Sequence, residues 1–177
     1  MEKALIFDAV RTPRGRGRSG GALHTVSPVR LAATTLVALQ ERYGLVPDAL
    51  EEVILGCVEP VMDQGANIAR TAVLCAGLAD SVPGITVSRF CSSGLDAVNL
   101  MAAQVRSGML SLGAAGGVES MSRVPMMSSG GAWATDPDLA QSIGFVPQGV
   151  AADLFSTLHG YTRQECDALA VQSGCAT

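Results

Sequence analysis

Four short apolar runs, each followed or preceded by a segment of helical period, constrain this chain more than any other feature. "KALIFDAV" (3–10), "EEVILGCV" (51–58), "PGITVSRF" (83–90) and "MLSLGAAGGV" (109–118) read as buried strands. Between them lie segments with the 3.6-residue spacing of amphipathic helices. In the first, Ser27 offers an N-cap oxygen and Pro28 takes the first helical position. Val29, Ala32, Ala33, Leu36, Val37, Gln40 and Tyr43 then recur until Gly44 ends the helix. "GANIARTAVLCAGL" (65–78) is a second, small-residue helix. "SSGLDAVNLMAAQVRSG" (92–108) carries Leu95, Val98, Met101, Ala102 and Val105 down one expected face and stops at Gly108. Strands alternating with helices imply βαβ units, a parallel sheet and right-handed crossovers.

The pattern breaks after Glu119. From there to Gly149 the chain has three prolines and no sustained period, as expected of a functional loop region. Its methionines, Met121, Met126 and Met127, either line an adaptable apolar pocket or pack a small subdomain. "GVAADLFSTLHG" and "YTRQECDALAVQS" return to helical character, with Thr162 and Glu165 in capping-box spacing.

Composition narrows the function classes. An apolar fraction of 48% fills a core, and a net charge of −4 argues against a nucleic-acid-binding domain as a whole. One stretch runs the other way: "RTPRGRGRSGG" (11–21), with Arg11, Arg14, Arg16 and Arg18. It reads as a solvated loop after the first strand, with a phosphate clamp or an RNA-binding segment as the alternatives. The five cysteines (57, 75, 91, 166 and 175) show no C-x-x-C pair and no export signal precedes them. Reduced thiols in a cytoplasmic setting are therefore expected. Cys57 and Cys75 read as small core fillers. No apolar run approaches membrane-spanning length, and His24 and His159 lack ligand spacing to any cysteine, so neither a membrane segment nor a metal site is expected.

Cys91 stands apart. It follows "ITVSRF" and precedes a helix, with Ser92, Ser93 and Gly94 clearing space around it. Open parallel sheets gather ligands beyond the carboxyl ends of their strands. At that place a helix start favours thiolate over thiol, and its N–H groups can stabilise an oxyanion formed by attack on a carbonyl. The residues alone leave two alternatives: a nucleophile, or a cysteine that simply ends a strand.

The blocks "DAVRTPRGRGRSGGAL", "LGCV", "QGANIARTAVLCAGL", "TVSRFCSSGLDAVNLMAAQVRSG" and "AAGGVESMSRVPM" together resemble the amino-terminal half of the thiolases, the acetyl-CoA C-acyltransferases. The resemblance implies a layered α/β fold with a mainly parallel sheet between helices, apparently truncated. The implied parts are a core over 1–118, a loop domain over 119–160 covering coenzyme A and the acyl chain, and the start of a returning helix with an atypical tail over 161–177. It implies that Cys91 takes up an acyl group from a 3-ketoacyl-CoA or another CoA thioester, with its backbone N–H at the oxyanion. Coenzyme A and acyl-CoA are then substrates, with no permanently bound cofactor, no nucleic acid and no membrane as partner. A homo-oligomer, dimer or tetramer, or a missing carboxyl-terminal half is the implied protein partner. Two departures are visible. Where many thiolases carry His-Met-Gly followed by Thr-Ala-Glu, this chain reads "VPQGVAAD", so no pocket residue is carried over from that loop. The chain also contains neither the Gly-His-Pro nor the Asn-Glu-Ala segment of the family's second half. Little turnover is expected of it alone, and Cys175 in the tail is not assigned the missing acid–base role.

Overall fold

The structure, a computed structural model, describes residues 3–175. The chain falls into two compact units, 1–129 and 130–177.

The first unit is built on a three-stranded parallel sheet in the order β2-β1-β3, with β1 at Glu52–Gly56, β2 at Gly84–Val87 and β3 at Gly113–Gly117. Helix α1, Pro28–Tyr43, precedes β1; α2, Ile68–Cys75, and α3, Ser93–Ser107, form the crossovers. The central strand β1 is buried, and its side chains alternate between two cores as a strand's period of two requires. Val53 and Leu55 join Ala32 and Leu36 of α1 and Ala69, Ala72 and Val73 of α2. Ile54 faces the other way and meets Ala97 and Met101 of α3 with Leu110. Helices on both faces of a parallel sheet are thus observed, as the alternating pattern predicts.

The expected caps form. Ser27 Oγ accepts from Arg30 N–H, Pro28 opens α1, and Gly44 ends it at φ 59°. Gly108 ends α3 at φ 76°. Both C-terminal glycines occupy the left-handed region that side chains avoid.

Three expectations need correction. Residues 3–10 form no strand, and Leu5, Ile6 and Phe7 are exposed. Asp8 explains part of this. Its carboxylate accepts from Ala9 N–H at 2.7 Å and from Arg42 at 2.5 Å, so a potential ladder donor is engaged locally. Cys75 is exposed, because α2 turns Ile68, Ala69, Ala72 and Val73 inward and leaves its last-turn cysteine at the margin. The expected face of α3 turns inward at Met101, with Val105 packed beside it, but fails at the helix start, where Ser93 and Ala97 are buried and Leu95 is 65% exposed. The sheet under α3 is glycine-rich, and its missing side chains make room for the helix backbone at Ser93 and Gly94 and for the Met101 side chain. A Cβ on Gly113 would lie 2.3 Å from Met101 Sδ.

The second unit consists of α4 (Ala132–Thr135), α5 (Pro137–Ser142), α6 (Gln148–His159) and α7 (Arg163–Cys175). None of its described side chains is buried. Trp133 meets Phe145 edge-on at 4.6 Å, and Phe155 packs on His159 and Tyr161. The capping box holds: Thr162 N–H donates to Glu165 Oε2 at 2.8 Å, and Glu165 N–H to Thr162 Oγ1 at 3.3 Å. The segments expected to be helical before and after Gly160 are helical. The side chain of Cys175 lies outside the described residues.

Candidate active site

The carboxyl ends of β1 and β2 lie side by side, linked by a hydrogen bond from Cys57 N–H to the Val87 carbonyl at 2.9 Å. Each end carries a cysteine, and the two have opposite surroundings.

Beyond β2 the chain passes through Ser88, Arg89 and Phe90 to Cys91, and α3 begins two residues later. Phe90 sits at φ 48°, a left-handed conformation that costs a bulky residue about 1 kcal/mol or more. That backbone reversal makes the strand-to-helix turn sharp and leaves Cys91 exposed at its tip. Ser93 holds the turn from inside. Its buried Oγ accepts from Arg89 N–H at 2.8 Å and donates to the Phe90 carbonyl at 2.6 Å. Outside, Arg89 pairs with Asp96 in the first turn of α3 at 3.0 Å.

The start of α3 is pinned against the sheet by backbone contact. A Cβ on Gly56 would lie 2.3 Å from the Ser93 carbonyl carbon and 2.5 Å from Gly94 N. One on Gly117 would lie 3.3 Å from Gly94 Cα. Glycine at 56 and 117 is therefore what lets the helix start reach the sheet, and with it the turn that carries Cys91. The N–H groups of Ser92 and Ser93 donate to the Arg89 and Phe90 carbonyls, at 3.1 and 3.0 Å. They are engaged in closing the turn.

Beyond β1 the arrangement is closed. Cys57 is 1% exposed, and burial, with the nearby Glu119 and Glu59 carboxylates, pushes its thiol up to about 12. Around it runs a polar network. Glu119 accepts from Val58 N–H and from Gln64 Nε2, both at 2.6 Å. Gln64, fully buried, also donates to the Glu59 carbonyl and accepts from Ser120 N–H. Glu59 is itself buried. Burial alone would push its carboxyl up, but the Ser129 hydroxyl, the Ser129 N–H and the Met127 N–H all donate to it and together hold it below the usual range.

Sequence reasoning placed Cys91 correctly at a strand-to-helix turn but missed Glu59, Gln64 and Glu119. Their signal was faint: an acidic residue just past a buried strand, and a polar residue inside a glycine-rich stretch. The methionines of the irregular segment are largely solvent-facing, with Met126 67% exposed. His24 lies in the first unit and accepts at its backbone carbonyl from Arg123, while His159 lies in the second. The second unit holds a shallow groove of about 460 Å³, lined by residues including Asp153, Ser156, Arg163 and Cys166. Among the described residues no helix is long and apolar enough to cross a membrane.

Comparison with known proteins agrees with this geometry. The family described as "Thiolase, N-terminal domain" matches residues 4–175. A 3-ketoacyl-CoA thiolase of Shewanella sp. (strain W3-18-1) is 39% identical over 176 residues, covering 98% of this chain and 44% of its own. The 3-ketoacyl-CoA thiolase of Shewanella oneidensis is 38% identical over 178 residues with the same coverage. Among solved structures, the Bacillus anthracis acetyl-CoA acetyltransferase is similar, with a TM-score of 0.57 and 46% identity over 62% of this chain and 27% of that one. The chain thus spans less than half the length of the curated relatives it matches. With a matched domain covering nearly all its residues, it belongs to the thiolase family.

Proposed function

We propose that this chain carries the nucleophile-bearing part of a thiolase-type acyltransferase, with Cys91 as the acyl acceptor. The observation that carries the reading is the exposed Cys91 thiol on a sharp turn whose helix start is fixed against the sheet by Gly56 and Gly117. The names of the relatives, 3-ketoacyl-CoA thiolase and acetyl-CoA acetyltransferase, support CoA thioesters as the substrate class.

In the thiolytic direction the Cys91 sulfur, having released its proton to solvent, attacks the 3-keto carbon. The tetrahedral oxyanion forms beside Cys91 N–H, and its collapse breaks the Cα–Cβ bond. The electron pair leaves with the acetyl-CoA fragment, which takes a proton, and the shortened acyl group stays on sulfur as a thioester. The thiol of a second CoA then collects it. Dividing the reaction at an acyl-cysteine replaces one difficult step by two easier ones. In reverse, the same intermediate supports condensation of two acyl-CoA molecules.

The chain offers little to move protons. Neither His24 nor His159 belongs to a Gly-His-Pro segment, and absent acid–base groups cost about 10²–10⁴-fold each. The proposed outcome for the chain alone is acylation without sustained turnover. Mixed with acetoacetyl-CoA and CoA, it should release no more than one acetyl-CoA per chain in an initial phase, and Cys91→Ser should abolish that phase. Sustained turnover would contradict the need for a further half, and an undiminished phase in Cys91→Ser would remove the nucleophile.

A second reading has its own support. Leu5, Ile6 and Phe7 are 68%, 81% and 76% exposed, and the chain covers 44% of its relatives. Both fit a binding or assembly module that associates with a carboxyl-terminal thiolase half.

A further inference from the structure

Glu119 takes no part in the chemistry above, yet its carboxylate stands where the pairing of β1 with β3 ends. A backbone bond from Val118 N–H to the Gly56 carbonyl, at 3.0 Å, joins the two strands at their carboxyl ends. Cys57 N–H turns the other way and donates to the Val87 carbonyl of β2 at 2.9 Å. Val58 N–H comes next on the β3 side. In a continued parallel ladder a backbone carbonyl would accept from it. Glu119 Oε2 accepts instead, at 2.6 Å. The carboxylate is steadied through its second oxygen, which accepts from Gln64 Nε2 at 2.6 Å. Gln64 is fully buried and is held in turn by the Glu59 carbonyl and Ser120 N–H. A side chain fixed at both oxygens thus supplies a rung that the backbone lacks.

What lies beside that rung is the second observation. Gly56 and Gly117 are register partners, and together they make the floor on which α3 starts. A Cβ on Gly117 would lie 3.1 Å from the Gly56 oxygen and 3.3 Å from Gly94 Cα. One on Gly56 would lie 2.3 Å from the Ser93 carbonyl carbon. The helix start therefore rests on both strands at once. Ser93 in turn holds Arg89 N–H and the Phe90 carbonyl, which close the turn carrying Cys91. Splaying of β1 from β3 at this end would part the two glycines and let the helix start move with them. A nucleophile misplaced by about 1 Å can lose as much as 10²-fold in rate.

We propose that Glu119 is a positioning residue for acyl transfer to Cys91, its carboxylate supplying the last rung between β1 and β3 and so keeping the floor of α3 closed. The proposal rests on the reading of Cys91 given above and deepens it. It joins the two turns: the network that shuts Cys57 away also steadies the support of Cys91.

The test compares the native chain with Glu119→Ala and Glu119→Gln; Glu119 is exposed, so neither substitution cuts into the core. The rung is read first in the native chain, by amide hydrogen exchange. Val58 N–H should be protected as Cys57 N–H is, and exchange at the rate of a free amide overturns the proposal. That measurement stands even where Glu119→Ala fails to fold. Acetylation of Cys91 by acetoacetyl-CoA, followed by mass spectrometry over a range of concentrations, gives the limiting rate. Alkylation by iodoacetamide, which needs only an exposed thiol, gives the reference. Glu119→Ala should lower the limiting acetylation rate about tenfold and leave alkylation of Cys91 unchanged. Glu119→Gln keeps an amide oxygen for Val58 N–H and should recover most of the native rate. Equal acetylation of the native chain and Glu119→Ala overturns the positioning role. So does a fall of both reactions by one factor, or a Glu119→Gln variant as slow as Glu119→Ala. If native Cys91 takes no acetyl while Val58 N–H is protected, the nucleophile reading fails and the positioning role with it, although the rung stands.

Discussion

Two turns leave neighbouring strands of one sheet at the same rim, and they treat their cysteines in opposite ways. After β1 the chain runs into Glu59 and Gln64; Gln64 bonds Glu119 from beyond β3, Glu59 is satisfied by Met127 and Ser129, and Cys57 is shut beneath them. After β2 a left-handed residue, a serine clamp and two backbone-contact glycines raise Cys91 into solvent. A buried thiol near carboxylates stays protonated and unreactive; an exposed one at a helix start is available for attack. The exposure of a sulfur in this fold is thus decided by the few residues after the strand. The strands themselves place both cysteines equally well.

The largest break in this contrast should come from Gly56→Ala, which touches both turns. Its methyl group would overlap backbone of Ser93 and Gly94 that has no room to move. Destabilisation of about 4 kcal/mol is expected, in the range of severe core strain. Urea unfolding would measure it, and an unchanged midpoint would show that α3 is not pinned there.

Glu59→Gln attacks the closed turn alone. One of the three donors aimed at the carboxylate would then face an amide NH₂ instead of an oxygen. A loss of about 2 kcal/mol at neutral pH is expected for a buried charge-assisted set. Because the folded carboxyl titrates below its unfolded counterpart, its contribution is fully present above the unfolded value of about 4.3. It fades as pH falls through the folded value. The gap between variant and parent should therefore close in acid, and a gap independent of pH would contradict the assignment.

Ser93→Ala attacks the open turn. It removes the acceptor of Arg89 N–H and one donor to the Phe90 carbonyl. A loss of about 1 kcal/mol is expected, with a slower acylation of Cys91 as the turn relaxes. Stability and acylation both unaltered would mean that the clamp does not shape the site.

Cys57 gives the smallest effect at neutral pH and the clearest one in base. Its thiol is pushed up to about 12 in the folded chain, so the contribution is present below the unfolded value of about 8.5 and is lost as pH rises towards 12. Cys57→Ala should flatten the alkaline decline of stability. A decline identical in both proteins would mean that Cys57 is not the group responsible.

The sequence carried the strand–helix order because β1, α1, α2, α3 and β3 obey simple periods and end on cap residues such as Ser27, Gly44 and Gly108. It also carried the position of Cys91, since a strand followed by small residues and a helix leaves few alternatives. The segment 3–10 misled because its apolar run resembles a buried strand, while Asp8 engages Ala9 N–H and Arg42 through side-chain bonds that no periodicity records. The first turn of α3 misled for a related reason. Hydrophobicity favoured Leu95, but the glycines at 56, 113 and 117 belong to distant strands, and only their assembly selects Ser93 and Ala97. The Glu59–Gln64–Glu119 network was illegible on the same ground, because its members lie up to sixty residues apart and meet only in the fold.

The most direct test of the contrast between the two turns is a site-resolved map of acyl transfer. The native chain is mixed with acetoacetyl-CoA, quenched in acid, digested and read by mass spectrometry at Cys57, Cys75, Cys91 and Cys166. The account predicts acetyl on Cys91 well ahead of the exposed Cys75 and Cys166, and none on Cys57. Equal labelling of the three exposed thiols, or acetyl on Cys57, would contradict it.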